Sequence, residues 1–396
     1  MARGLFAVLE DELSAEIVPE NNEQQERVEE LEAQVAEGEV TEAEGEVEEL
    51  VEAVEEAIDA VEEVEEIAEV AEGSVEAGDG LTEEAAEIAE VAIESICNRL
   101  GYKPAKRIVP AMESFGATSS RLDATKYALE GFKETIAKIW EGIKAFFAKI
   151  GDALKALWDK LFDLATKTAA RAEKMAKNVK KAQNDKLVAG DSKLKVNKYL
   201  VAFNVASGDV AAVAAKVIGG HQAIAVKLAG VNSKLSSNLD AVTKADSVEG
   251  ITLTDADFGE IAKGELAFGY TAEVKEGALT LVQNQVKVTG DVEEAPADLQ
   301  KLASLTGAVK TFAGSVIANK DSFAKAQDVV KKAIALADKL AKKEESAEQA
   351  KEKAKSFRNV QASLIAVNKT IPVLGLKAGV LALDFVGANL KAYGTK

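Results

Sequence analysis

The first long hydrophobic pattern in the chain is a heptad seam within residues 23–76, a stretch built mostly of Glu, Val and Ala. Its apolar members recur at alternating steps of three and four residues, which places them along one stripe of an α-helix. They are Val47, Leu50, Val54, Ala57, Val61, Val64, Ala68 and Ala71. The other faces are nearly all glutamate, whose mutual repulsion weakens a lone helix at neutral pH. We therefore predict a conditional helix that becomes firmer when its carboxylates are protonated or when it pairs with a basic partner.

A second helix is predicted to start at Thr82, a good N-cap residue, with Glu83 and Glu84 in its first turn. Arg99 would lie in its last turn and Gly101 just beyond its end. The residues expected on its apolar face are Ile88, Val91, Ile96 and Leu100.

The sequence changes character at Gly101, where GYKPAKRIVPAMESFGATSS begins. Pro104 and Pro110 remove backbone donors and disfavour helix before them. The Ser, Thr and Gly residues after Glu113 have no strong periodicity. We expect an exposed, extended linker, the kind of segment that proteases cut.

A long amphipathic helix is predicted after this linker, with Ser120 as its cap and Asp123 three residues later. Its apolar stripe is broad and rich in aromatic residues, and lysines flank it. The stripe predicts either packing against other helices of the same domain or an amphipathic helix lying on a membrane surface. Its seam is Leu129, Phe132, Ile136, Ile139, Ile143, Phe146, Ile150, Leu157 and Leu164, widened by Trp140, Phe147, Leu154, Trp158, Leu161 and Phe162.

The remaining chain is predicted to be helical, apart from one region of strand periodicity. Helices are expected over 199–217 and 223–242, separated at Gly219-Gly220. Residues 250–290 alternate apolar and polar positions, which predicts a small antiparallel sheet. The last hundred residues return to helix periodicity.

These patterns predict a mainly α fold (α+β) with an acidic N-terminal leader and a helical body that carries a small β insertion. We divide the chain into four segments. They are a leader or propeptide, 1–113; amphipathic and basic helices, 114–190; a mixed α+β region, 191–295; and a C-terminal helical region, 296–396.

Charge divides the chain at the same place as the linker. Residues 1–113, hereafter the leader, hold 35 Asp and Glu against 6 Lys and Arg, a net of −29. Residues 114–396, hereafter the body, hold 32 acids against 42 bases, a net of +10. An acidic arm on a basic body is typical of proteins that meet a polyanion or a membrane, although a solubilising acidic tail has the same composition.

Little in the sequence indicates catalysis. With one His and one Cys, the chain has few residues for metal sites, nucleophile pairs or disulfides, and we predict no catalytic residue, no metal and no cofactor. His221 has no second His with which to share a metal, and Cys97 is expected to be a small buried apolar residue. Asp255, Asp257 and Glu260 fit a turn and helix cap better than a cation loop.

Membrane insertion and sequence-specific DNA reading are also disfavoured. The apolar segment 371–390 carries Lys377, Asp384 and several glycines, which is a poor pattern for a stable membrane span. The bases of the body are 39 Lys and 3 Arg, and lysine binds phosphate without the planar fork that reads guanine. Any DNA binding is therefore expected to use non-specific, salt-sensitive phosphate contacts.

The chain resembles the internal head or prohead core proteins of large tailed bacteriophages. The resemblance rests on the acidic leader, the small-x-Glu sequence Ala111-Met112-Glu113 followed by Ser114, and the lysine-rich helical body. It implies that a phage maturation protease cuts after Glu113, with Ala111 as the small residue two positions earlier. Ala-x-Glu also occurs at 53–55 and 60–62, and the related sequence at 18–20 leaves open a second cut near Glu20.

The resemblance implies a non-enzymatic structural protein of the virion. Its leader would direct the precursor into the assembling capsid in the host cytoplasm, through capsid or scaffold proteins, and the mature body would remain inside with packaged DNA. Three alternatives stay open. The chain would otherwise be a membrane-active amphipathic protein, a generic acidic-tailed helical binding protein, or a catalytic domain whose site the sequence does not reveal.

Overall fold

The computed structural model describes residues 22–102, 108–116, 118–190, 193–206, 208–245, 252–259, 261, 265–342 and 347–394. The tripeptide Val18-Pro19-Glu20, Pro104 and Glu260 lie outside these residues.

Two very long helices dominate the first half of the chain. Helix α1 spans Asn22–Glu76 and α3 spans Thr118–Asn184, which correspond to lengths of about 80 and 100 Å. They pack along one another, and the shorter α2, Glu83–Arg99, lies between them in sequence. Helix α3 begins two residues before the predicted cap Ser120.

The cap of α2 was predicted correctly, but its apolar face was not. The Thr82 hydroxyl accepts a hydrogen bond from the Ala85 N–H at 3.2 Å, and Gly101 follows the helix with a φ of +66°. Ile96 is buried, whereas Ile88 and Val91 are 70% and 62% exposed. The helix instead buries a neighbouring stripe that contains small residues, which permit close approach; its members are Ala86, Ala89, Ile93, Ile96 and Cys97.

Within the described residues, the middle of the chain holds four α-helices and most of the strands. The helices are α4 Asn197–Ala202, α5 Val210–Ala225, α6 Leu228–Lys244 and α7 Asp255–Phe258. The strands are β1 Val188–Ala189, β2 Leu194–Lys195, β3 Tyr270–Lys275, β4 Ala278–Gln283 and β5 Glu293–Glu294. The hairpin β3–β4 confirms the antiparallel prediction, with Tyr270 opposite Gln283.

Three predictions of element boundaries in this region were wrong. The helix expected over 199–217 is interrupted between α4 and α5, where Asp209 caps α5 by accepting a hydrogen bond from the Ala212 N–H. Helix α5 then continues through Gly219-Gly220 and ends at Ala225, because packing on both sides of the helix outweighs the intrinsic cost of glycine. Residues 252–254 and 286–290 form no strand.

The C-terminal region is helical, as predicted. It consists of α8 Leu299–Ala318, α9 Lys320–Ala341, α10 Ala347–Ile365 and α11 Ile371–Leu390, followed by β6 Tyr393–Gly394. A π-helical turn, Ala366–Thr370, joins α10 to α11. Pro372 lacks an N–H and would crowd the carbonyl four residues earlier, which accounts for the widened turn.

Apolar side chains from the leader and from every segment of the body join one buried cluster. In the part of the chain that the structure describes, three two-stranded sheets pair β1 with β6, β2 with β5 and β3 with β4, all antiparallel. The boundaries proposed at 113, 190 and 295 stay a sequence-based prediction.

The continuous helix Lys351–Leu390 is long and apolar enough to cross a membrane, with a mean hydropathy of 1.7 in its most apolar window. Buried positions make up 67% of that window. The broad stripe of α3 is also buried, including Trp140, Phe147 and Trp158, so it is occupied by packing within this chain. In the intact chain, that packing leaves the stripe unavailable for the membrane-surface alternative.

Candidate functional site

The interface between leader and body is formed on its apolar side by the heptad seam of α1. Val47, Val54, Val61 and Val64 have no exposed surface, and α1 contacts α3, α10 and α11. The seam therefore predicted the buried face of α1 correctly. What the pattern left open was its partner, which is the body of the same chain.

A series of ion pairs runs beside this seam. Each pair joins an acid of the leader to a base of the body, and the acids extend over about 50 Å of helix. The pairs are Glu39–Lys160 at 2.8 Å, Glu44–Lys377 at 3.0 Å, Glu48–Lys369 at 3.4 Å, Asp59–Arg358 at 2.7 Å, Glu62–Arg358 at 3.3 Å and Glu72–Lys133 at 2.8 Å.

Among the described residues, the arrangement matches the leader to at least five cations that come from α3, α10, the π-helical turn and α11. Lys369 is almost fully buried, and Lys377 is mostly buried, so water screens these charges less than surface charges. Mutual repulsion within the acidic helix is thereby offset by body cations. This is the basic partner that the conditional helix requires.

Three leader carboxyls at this interface are held in a less favourable environment. Burial and the nearby Glu62 and Glu69 raise the pKa of Glu65 to about 7, against a lowering effect of Lys351. Burial also raises the pKa of Glu37 and of Glu55. Glu65 is 4% exposed, and its Oε2 has no hydrogen-bond partner. These raised pKa values predict that docking of the leader depends on pH.

The predicted cleavage residues do not form an extended linker. Met112–Phe115 make a 3₁₀ turn, in which the Ser114 N–H donates to the Ala111 carbonyl at 2.9 Å. Glu113 is exposed and Ser114 is half-buried, but Phe115 is only 2% exposed. The prediction of an extended segment was wrong because burial of apolar side chains in the core, including Phe115, favours the turn.

Anchoring of this segment also involves the two residues before Pro110. Val109 is fully buried and Ile108 nearly so. Helix α3 makes room for them at Gly131, where a Cβ would lie 2.8 Å from the Ile108 carbonyl oxygen. A protease that reads an extended strand must therefore act on a locally opened form of the segment.

The two competing Ala-x-Glu tripeptides considered in the acidic heptads are placed there as expected. Both Ala53-Val54-Glu55 and Ala60-Val61-Glu62 lie inside α1, and their central valines have no exposed surface. Cutting either would require unwinding α1 and lifting it from the body.

The residues considered for catalysis or metal binding have roles in packing and helix capping. His221 is buried, its Nε2 accepts a hydrogen bond from the Ala267 N–H at 3.0 Å, and burial lowers its pKa to about 4. Asp257 closes a capping box on Thr254, which confirms the turn-and-cap interpretation. Cys97 is buried, as expected. Within the described residues, no group of three or more His, Cys, Asp or Glu could hold a metal ion.

The sequence did not identify Phe115, Arg358, Lys369 or Lys377 as interface residues. The pair Glu44–Lys377 joins positions 333 residues apart, and no local spacing encodes such a contact. The charge imbalance between leader and body was the available signal, and it predicted attraction without naming the partners.

A family model described as phiKZ-like phage internal head proteins matches residues 10–375, which include most of the leader, the cleavage segment and nearly all of the body. No curated protein and no solved structure matches the chain.

Proposed function

Because the chain belongs to the phiKZ-like phage internal head proteins, we propose that its leader is a removable acidic cover for a cationic body that stays beside packaged DNA. The family makes the chain a structural protein of the phage particle, located inside the capsid and associated with capsid assembly. The cover, its removal and the contact with DNA are the proposed parts.

The observation that carries the proposal is the series of ion pairs between α1 and the body. Five body cations are matched to leader carboxylates along the seam, so the precursor presents less positive charge there than the body alone would. Separating the leader would remove a net charge of −29 from a body of net +10. Assembly in the host cytoplasm could then proceed before the body gains its attraction for DNA.

Removal is assigned to a phage maturation protease that cuts between Glu113 and Ser114. The exposed Glu113 carboxylate supports recognition, and the buried Phe115 means that the bond becomes available only after local opening. Ala111 and Met112 would occupy the preceding positions of the extended substrate.

One cut would sever the chain without separating its two parts. Helix α1 would remain held by its buried valines and ion pairs, since none of these contacts involves the cut bond. Release would need further cuts in the leader, and local unwinding would expose the tripeptides at 53–55 and 60–62. The end of the leader near Glu20 offers another candidate position.

Contact with DNA would be non-specific. The body carries its charge mostly as lysine, which attracts phosphate as a point charge, and separation would free Lys133, Lys160 and Lys377 from their leader carboxylates. Capsid or scaffold proteins are the expected partners of the precursor.

The cut is tested by N-terminal sequencing of this protein purified from mature particles. The expected form begins SFGATSS, and Glu113→Ala should leave the chain uncut at this bond. Intact protein beginning at Met1 or Ala2 in mature particles would contradict the proposed removal.

Masking is tested by comparing the precursor with the form recovered from mature particles in binding to duplex DNA of unrelated sequences. The mature form should bind more tightly, without sequence preference, and lose about tenfold or more in affinity between roughly 50 and 200 mM salt. Equal binding by the two forms would contradict masking, and salt-insensitive binding would contradict the phosphate-contact mechanism.

A further inference from the structure

The leader carries an open apolar groove on the side of α1 where α2 lies against it. Its volume is about 590 Å³. The lining includes Ile67 and Val70 from α1 and Ala85, Ile88, Ala89 and Ala92 from α2. These side chains are aliphatic, so the floor of the groove can make apolar contacts with a bound partner.

Exposed apolar side chains are concentrated in the leader. Val70 is 66% exposed and Ile88 is 70% exposed, although both belong to otherwise well-packed helices. Leu31, Val35 and Val91 are also exposed in the leader, against Tyr127, Val188, Val226 and Val282 elsewhere in the described residues. Exposing large aliphatic groups together is unfavourable in water, and a contiguous patch of them commonly marks an interaction surface.

The rim of the groove is acidic. Glu63 and Glu66 line it directly, although Glu63 already pairs with Arg99 of α2 at 2.9 Å. The exposed carboxylates of Glu69, Glu84 and Glu87 lie next to lining residues in sequence. An apolar floor between carboxylate rims fits an amphipathic helix whose aliphatic stripe is flanked by lysine or arginine.

We propose that this groove, formed by α1 and α2, is the docking site for a cationic amphipathic helix of another protein. The inference does not depend on whether the leader is later removed, because the groove is formed within the leader itself. It gives the leader a binding role in addition to covering the body.

Charge disfavours two occupants from this chain, residues 1–20 and a second copy. Residues 1–20 contain five acids and one base, so this segment would meet the rim with like charge. A second copy would bring an identical acidic rim, and the broad apolar stripe of α3 is already buried in its own core. A partner of opposite charge is therefore the occupant that fits.

The test uses the full-length chain and a synthetic helical peptide roughly three heptads long, with leucine at the a and d positions and lysine elsewhere. A second peptide keeps the leucines and replaces every lysine by glutamate. A third keeps the composition of the first but scrambles the stripe. Titration calorimetry should give measurable binding for the first peptide and at least about tenfold weaker binding for each of the others.

Matched variants identify the site. The double variant Val70→Gln, Ile88→Gln should weaken binding of the first peptide about tenfold or more. Both side chains are mostly exposed, so the fold should tolerate the change. The control Val91→Gln alters another exposed aliphatic residue of α2 that does not line the groove, and it should change affinity by less than about twofold.

Four results would overturn the proposal. The first two are equal binding of the glutamate peptide and undiminished binding of the first peptide by the double variant. The third is a concentration-dependent dimer of the full-length chain that the double variant abolishes. The fourth is an increase of about tenfold in affinity for the first peptide when residues 1–20 are deleted. The third would assign the groove to a second copy, and the fourth to the chain's own N-terminal segment. None of these results bears on the cut after Glu113, so the two proposals can fail separately.

Discussion

The ammonium group of Lys377 lies 3.0 Å from the carboxylate of Glu44, joining the C-terminal helix α11 to the acidic helix α1 across 333 positions of sequence. Their side chains are only 23% and 22% exposed, so this pair is better shielded from solvent than most surface ion pairs. A leader carboxylate is thereby paired with a mostly buried lysine of the body.

We expect that reversing either charge of this pair destabilises the precursor. Lys377→Glu and Glu44→Lys should each lower the free energy of unfolding by about 1–2 kcal/mol, and the double swap should recover about 1 kcal/mol. Denaturant unfolding measures the cycle. Lys195→Glu is the control, because Lys195 and Asp291 form a largely exposed pair whose reversal should have a small effect. Additive effects of the two substitutions would contradict a direct interaction.

The seam is tested by placing a charge in it. Val61→Asp should detach much of α1, at a cost of about 3 kcal/mol or more, because an unpaired carboxylate would be buried where Val61 has no exposed surface. Hydrogen exchange of α1 amides measures the loss of protection. Val70→Asp introduces the same charge on the same helix at a position 66% exposed, and it should leave protection nearly unchanged. Similar exchange in both variants would contradict the assigned face.

We expect Glu65 to make the stability of the docked leader dependent on pH. Its pKa is raised to about 7 by burial, so the folded protein binds a proton at a pH where the unfolded chain, with a value near 4.5, does not. The penalty for the charged form is complete above about pH 7 and fades as the pH falls toward 4.5. Glu65→Gln should therefore stabilise the precursor by up to about 3 kcal/mol at about pH 8 and by less than about 1 kcal/mol at about pH 5.

Denaturant unfolding across this pH range measures the Glu65 effect. Glu46→Gln, at an exposed position on the same helix, is the control and should not alter the slope of stability against pH. A Glu65→Gln variant with the same pH slope as the unmodified chain would show that another group causes the dependence.

Phe115 should set the rate of the proposed cut. Phe115→Ala removes the buried anchor of the 3₁₀ turn, and a loss of about 3 kcal/mol in local stability would raise the opened population and the cleavage rate at least tenfold. Incubation with the maturation protease, followed by mass spectrometry of the Ser114 end, measures the rate. Tyr127→Ala removes a half-exposed aromatic residue from α3 and should leave the rate unchanged. A slower cut in the Phe115 variant would mean that the protease recognises this side chain directly.

Local patterns predicted much of the fold. The heptad positions of α1, the Thr82 cap, the seam of α3 and the β3–β4 hairpin depend on residues close in sequence, and the structure confirms them. The errors occur where packing outweighs local preference. Helix α5 continues through Gly219-Gly220, Ile88 and Val91 face solvent, and Phe115 turns a segment expected to be extended into a buried anchor.

By itself, the sequence determined that an acidic amphipathic helix precedes a basic helical body and that the two should attract, because periodicity and net charge are sums over neighbouring residues. Only the tertiary structure decided which cations meet which carboxylates, since Arg358, Lys369 and Lys377 reach α1 after the chain has returned from far along its length. The tertiary structure also decided the burial of Glu65 and Phe115, because several elements must pack around one side chain to exclude solvent from it.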